Sequence, residues 1–135
     1  MKVKYTPSEF VASSFDFGAA KGELVAIDTS SGKIKWNYSF DTLNLGSATV
    51  VNDLVFTATY DGKIYAFNKI TGEKVWEYQA SGGINGWPAV TGDTIVYPVG
   101  LGKTPELLGF KIGGTIQTQV PATVPAAGAG KQFQQ

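Results

Sequence analysis

Slid along itself by 40 residues, the sequence falls back into register, and this period constrains the fold more than any other feature. Residues 22–36, GELVAIDTSSGKIKW, lie over residues 62–76, GKIYAFNKITGEKVW. Gly22, Ala26, Gly32, Trp36 and Tyr38 coincide with Gly62, Ala66, Gly72, Trp76 and Tyr78, and Gly46, Val50, Asp53 and Gly62 with Gly86, Val90, Asp93 and Gly102. Nine identities in 41 pairs exceed the roughly two or three that ordinary residue usage supplies. The matched types are glycines, a small residue and an indole, each with a position-specific job. A period of this length marks a module that buries its apolar face only against its neighbours.

Each unit divides into short strands. In the better unit, Ala48–Val51, Leu54–Tyr60, Lys63–Asn68 and Lys74–Gln79 alternate or run apolar, with turn residues Asn52-Asp53, Asp61-Gly62 and Asn68–Gly72 between them. Four antiparallel strands in about 40 residues make one blade of a propeller. The predicted fold class is therefore all-β, a partial β-propeller of four-stranded antiparallel blades, with inner strands near 47–51 and 87–91 and no helix longer than two turns in 22–112.

The turns repeat as well. Asp28 and Asn68 each stand four residues before a glycine, Gly32 or Gly72. A short side-chain carbonyl there accepts a hydrogen bond from the backbone N–H two residues on, and the glycine takes positive φ. Trp36 and Trp76 follow on the outermost strand. The alanines, Ala26 and Ala66, leave room for a flat indole, so each tryptophan is expected to pack over a small side chain of a neighbouring blade. Such a contact buries on the order of 200 Å² per ring. Trp76 is expected to be a buried wedge, and Trp36 likewise where its neighbouring blade is present.

The third unit decays. Trp87–Val90 and Thr94–Val99 read as its first strands, Lys103-Thr104-Pro105 is an insertion, and Leu107–Ile112 reads as a third strand with Gly109 in the alanine place. No tryptophan follows Gly113-Gly114. Glu9–Phe17 is predicted to pair with Glu23–Asp28. The divisions are 1–21, an N-terminal strand region; 22–61 and 62–101, two blade repeats; 102–114, an incomplete third; and 115–135, a Pro-, Ala-, Gly- and Gln-rich disordered tail. A closed ring needs at least four blades, roughly 160 residues at this period. The expected partners are therefore the remaining blades or other copies of the chain.

Composition narrows the chemistry. Cysteine and histidine are both absent, which removes thiol nucleophiles, Cys/His zinc sites and the commonest general base. Lys plus Arg and Asp plus Glu are both 11, so no basic footprint for nucleic acid exists. No run of about 18 apolar residues suggests a membrane-spanning helix, and Met1–Pro7 lacks the apolar stretch of a signal peptide.

The motif A-x-(D/N)-x-x-x-G-x-x-x-W, in Ala26…Trp36 and Ala66…Trp76, resembles the tryptophan-docking motif of pyrroloquinoline-quinone (PQQ) alcohol dehydrogenases. Asp53–Gly62, Gly82–Pro88 and Val99–Pro105 are similar to segments in the last blades of that eight-bladed propeller, and the resemblance spans residues 9–112. It implies a C-terminal blade segment of a parent ring that holds PQQ with Ca²⁺ and oxidises an alcohol or sugar. It also implies a periplasmic or extracellular location. Non-enzymatic propellers, such as an outer-membrane assembly lipoprotein, resemble the motif too, so a binding or assembly scaffold is the alternative. The family's catalytic aspartate, calcium carboxylate, stacking tryptophan and vicinal cysteines belong to earlier blades and have no counterpart here. Two positions where the family places cofactor-facing tryptophans hold Leu45 and Thr104.

The candidate cofactor-facing residues are Leu45, Asn85, Gly86, Trp87 and Thr104. The expected docking residues are Ala26, Gly32, Trp36, Ala66, Gly72 and Trp76. No catalytic residue and no metal ligand is expected within the chain. Trp87 stands where the previous repeat has Ser47, at the start of an inner strand; core packing is the plainer reading and a ligand-facing role the sharper one. Asp53 and Asp93 repeat beside turn residues, which suits the turn better than calcium. Gly102-Lys103-Thr104 lacks the first glycine and the helix of a phosphate loop. Asn37-Tyr38-Ser39 matches a glycosylation sequon on a predicted strand.

Overall fold

The structure is a computed structural model and describes residues 19–112. Nine strands follow one another among those residues: β1 Gly22–Ile27, β2 Ile34–Phe40, β3 Thr49–Val51, β4 Leu54–Ala58, β5 Lys63–Asn68, β6 Lys74–Gln79, β7 Ala89–Thr91, β8 Thr94–Val99 and β9 Glu106–Lys111. They form three antiparallel sheets, β1-β2, β3-β4-β5-β6 and β7-β8-β9, with every hydrogen-bonded neighbour adjacent in sequence. The middle sheet is the four-stranded blade that the repeat predicts. The strand expected at Glu9–Phe17, and whatever follows Ile112, lie outside the described residues. The second and third sheets begin on the inner strand, whereas the sequence repeat starts at Gly22 and Gly62, on third strands. Period and sheet are thus offset by half a unit.

Alternation along the strands assigns the two faces of the middle sheet. Val55, Tyr65 and Phe67 pack with Leu24, Trp36, Tyr38 and Phe40 of the first sheet. Phe56, Ala58, Ile64 and Tyr78 pack with Ile95, Tyr97, Leu108 and Phe110 of the third. Because both faces are covered, residues 64–67 are buried without interruption. A strand flanked by layers on both sides loses its polar-apolar alternation in this way.

The corner after each third strand repeats down to single atoms. Register shifts fall at Ala26/Ile27 and at Ala66/Phe67, so both strands bulge at the same step. The Asp28 carboxylate accepts from the N–H groups of Ser30 and Ser31 at 3.1 and 2.9 Å, and the Asn68 carbonyl accepts from Ile70 and Thr71 at 2.9 and 3.1 Å. Gly32 and Gly72 take φ of 68° and 74°, the region that an L side chain enters only at a cost.

One corner is charged and the other neutral, which sets a pH test. Hydrogen bonds from the Ser30 and Ser31 hydroxyls and amides hold the Asp28 carboxyl well below the usual carboxylate range. A folded-state value below the unfolded one adds stability above roughly pH 4, and that contribution fades as the pH falls toward the folded value. Asp28→Asn should keep the turn, as Asn68 does, and remove this acid dependence. Urea midpoints of wild type and variant between pH 5 and 2 report it; the same pH dependence in both would refute the assignment.

Some expected boundaries move. The strand from Leu54 ends at Ala58, because Thr59 turns its hydroxyl to Asp61 at 2.6 Å and its N–H to the Lys63 carbonyl at 2.9 Å. The inner strand expected from Trp87 starts at Ala89, since Pro88 has no N–H for a ladder. The alanines also have a different role. Ala26 pairs with Trp36 and Ala66 with Trp76 across the ladder of the same blade. The small residue that a neighbouring blade places under an indole is Gly72, where an added Cβ would lie 2.6 Å from the Trp36 ring.

Trp76 is the main correction. It was expected as a buried wedge, yet it is 36% exposed. Its ring meets Phe110 of the third sheet edge-on at 5.1 Å and lies nearly parallel to Tyr78 at 6.2 Å. The residues equivalent to 70–72 lie outside the described residues. Trp36 has its neighbour and is the better-held ring.

Candidate functional site

Loops 41–48, 59–62, 80–88 and 100–105 gather at one end of the sheets. Backbone bonds tie them together. The Tyr60 N–H donates to the Leu43 carbonyl at 2.8 Å, and Gly83 and Leu101 exchange bonds of 2.8 and 3.1 Å. Each connection from an outer strand to the next inner strand is thereby fastened to the following hairpin. An added Cβ on Gly46 would lie 3.2 Å from the Gly86 carbonyl, and one on Gly86 would lie 3.2 Å from the Pro98 ring.

All five candidate residues lie on this rim. Leu45 and Asn85 occupy equivalent places in successive loops, 40 residues apart, and the contact at Gly46 and Gly86 brings those loops together. Leu45 is 50% exposed and Trp87 67% exposed, while Asn85 and Thr104 are also exposed and Gly86 is half-buried. Core packing, the plainer expectation for Trp87, is not what the structure places there; Pro88 is the buried member of the pair. Thr104 sits on the long β8–β9 hairpin that the Lys103-Thr104-Pro105 insertion creates. A groove of about 350 Å³ lies elsewhere, between the first two sheets, lined by Val25, Ile27, Trp36, Val50, Val55 and Ile70.

The five candidate residues on the rim are all uncharged. Among the described residues no three His, Cys, Asp or Glu side chains gather to hold a metal ion. The repeated acids each face a lysine, Asp53 facing Lys69 at 3.1 Å and Asp93 facing Lys111 at 3.3 Å. The exposed indole of Trp87, the Leu45 side chain, the Asn85 amide and the Thr104 hydroxyl offer a flat apolar surface and neutral hydrogen bonds. They offer no cluster of charged oxygens to a divalent cation.

One pair beneath the rim escaped the sequence reading. The Asn44 amide donates to Thr57 Oγ1 and to the Ala58 carbonyl, both at 3.0 Å, between the first two sheets. Forty residues on, these places hold Ile84 and Tyr97. Both are fully buried, and the Tyr97 hydroxyl has no hydrogen-bond partner among the described residues; burial pushes its pKa upward. The polar pair at one blade interface has become an apolar one at the next. The signal was present as two non-identities at the same offset.

Comparison with known proteins places this geometry. Residues 8–109 match the protein family described as outer membrane protein assembly factor BamB. Over 68 residues the chain is 46% identical to the quinoprotein alcohol dehydrogenase PedH of Pseudomonas putida, a match covering 50% of this chain and 11% of that protein. It is 29% identical over 126 residues to the quinohemoprotein alcohol dehydrogenase ADH-IIG of the same species, covering 77% and 18%. The structure of that enzyme superposes with a TM-score of 0.62 over 78% of this chain and 19% of its own. BamB from Moraxella catarrhalis, 23% identical, shares the fold with a TM-score of 0.57 over 68% of this chain and 28% of its own. The chain thus spans less than a fifth of the two dehydrogenases.

Proposed function

Since the chain belongs to the family described as outer membrane protein assembly factor BamB, a family of propeller repeats, we propose that it serves as a blade segment of a quinoprotein alcohol dehydrogenase-like ring. It contributes scaffold and one wall of a site for PQQ and an alcohol or sugar. The observation that carries this reading is the 46% identity over 68 residues to a quinoprotein alcohol dehydrogenase. The convergence of Leu45, Asn85, Gly86, Trp87 and Thr104 on one rim supports it.

The residues present fit a part of that cofactor's surroundings. Trp87 and Leu45 would cover a face of the planar quinone, and the Asn85 amide and Thr104 hydroxyl would reach its polar edge. PQQ, when bound, supplies the acceptor for the hydride of the alcohol. Carboxylates for Ca²⁺ would come from other blades of the ring. The role of these residues is to orient and exclude water rather than to move a proton. Among the described residues no helix is long and apolar enough to cross a membrane. A periplasmic or extracellular site of action follows the dehydrogenase resemblance, and the partners are the other blades of the ring.

A second reading, a non-enzymatic binding or assembly scaffold, is favoured by the family description and by the likeness to the Moraxella BamB fold. Calorimetric titration with PQQ and Ca²⁺, paired with dye reduction by alcohols and sugars, separates the two. The complete ring containing these blades should bind and turn over, whereas residues 1–135 alone should do neither. A complete ring that takes up no PQQ would leave the scaffold. Turnover by the 135-residue chain would overturn the role of partial wall.

A further inference from the structure

We propose that Asn85, in the rim loop between β6 and β7, is a site of spontaneous deamidation, at which a carboxylate appears among the uncharged candidate residues of the rim. This inference stands on the loop itself and is independent of the cofactor reading.

The reaction needs a side-chain amide beside an unhindered backbone nitrogen. The Gly86 nitrogen attacks Asn85 Cγ, a new C–N bond closes a succinimide, and the bond from Cγ to Nδ2 breaks. Nδ2 leaves as ammonia and takes up the proton that the Gly86 N–H gives up. Water then opens the ring at either carbonyl, to aspartate or to isoaspartate. No oxidant, metal or enzyme enters the balance. A side chain on the following residue crowds the attacking nitrogen, and glycine has none.

Residue type and contacts single out one position. The chain holds five asparagines, and only Asn85 precedes a glycine. Three of the others have their side chains engaged. Asn37 donates to the Glu23 carboxylate, Asn44 donates to Thr57 Oγ1 and to the Ala58 carbonyl at 3.0 Å, and Asn68 accepts from the Ile70 and Thr71 N–H groups at 2.9 and 3.1 Å. The fourth, Asn52, sits at φ 51° in a turn, and its follower Asp53 carries a side chain.

The fold leaves Asn85 open where it holds those three. Asn85 is exposed. Neither its amide nor the Gly86 N–H has a hydrogen-bond partner among the described residues. Both residues lie outside the strands, between Gly83, bonded to Leu101, and Ala89, where β7 begins. Ile84 before the pair and Pro88 after it are buried, so the loop is anchored at both ends and presents Asn85 to solvent between them.

The test keeps the full chain folded in mildly alkaline buffer and maps its tryptic peptides by mass. Residues 75–103 form one such peptide, with Asn85 its only asparagine, and residues 36–63 form another that holds Asn37, Asn44 and Asn52. The mass change of amide to carboxyl, with isoaspartate and released ammonia, should build up in 75–103 about tenfold faster or more than in 36–63, and Gly86→Ala should slow it by a similar factor. An added Cβ on Gly86 meets the Pro98 ring, so far-UV dichroism checks that the variant folds, and wild type in urea gives a comparison that needs no variant. The folded chain should deamidate within about tenfold of the unfolded one, since no hydrogen bond of the pair has to open. Equal rates in the two peptides would overturn the proposal, as would a folded Gly86→Ala chain that reacts at the wild-type rate. A folded rate further below the unfolded one would show that the fold shields the loop, and would overturn it too.

Discussion

Trp36→Ala should destabilise the chain by about 3 kcal/mol, the larger loss of the two blade tryptophans. The variant gives up an indole stacked on Phe67, a 3.0 Å hydrogen bond to the Lys69 carbonyl and the filling of the space above Gly72. The carbonyl left behind is half-buried, which adds to the cavity term. Trp76→Ala should cost about half as much, because that ring is 36% exposed and meets Phe110 of the third sheet edge-on. Urea denaturation of the two variants gives the comparison. Equal losses, or a larger one at Trp76, would mean that the docked geometry of Trp36 is not what holds the first two sheets together.

Gly62→Ala should cost about 3 kcal/mol, from positive-φ strain and overpacking together. Gly62 takes φ of 87°, and an added Cβ would lie 2.3 Å from the Gly82 carbonyl. Backbone must move to relieve that contact, and the backbone in question is the 80–88 loop that carries three of the candidate cofactor-facing residues. The loop is anchored there, since the Ala80 N–H donates to the Gly62 carbonyl at 2.9 Å and the Gln79 amide to the Asp61 carbonyl at 2.9 Å. In a complete ring the same change should weaken PQQ binding with little effect on far-UV dichroism. A variant within about 1 kcal/mol of wild type in urea would show that the crossing loop yields freely, and the rim would then be soft.

The legible part of this protein was its local repetition. The 40-residue period, the strand places in the middle blade, the Asp28 and Asn68 turns and the positive φ of Gly32 and Gly72 all follow from residue type at fixed spacing. These features depend on interactions spanning two to five residues, such as Ser30 N–H to Asp28 and Ile70 N–H to Asn68, and short-range chemistry is written in sequence order. The candidate rim residues were legible as positions in successive loops. Their exposure and their approach at Gly46 and Gly86 were not.

The sequence by itself determined an all-β chain of repeated blades, with its turns and its docking residue types. Tertiary structure alone decided that Trp36 is held by the Lys69 carbonyl and Phe67 while Trp76 is 36% exposed, because those contacts join separate sheets. It decided that Ala66 faces Trp76 within a blade while Gly72 receives Trp36 from the blade before. It also gave Gly62 a second reason beyond its turn, the passage of Gly82 above it. In each case the deciding contact joins residues ten to more than thirty places apart, and pairwise packing at that range depends on how the sheets stack, which no local pattern of residue types encodes.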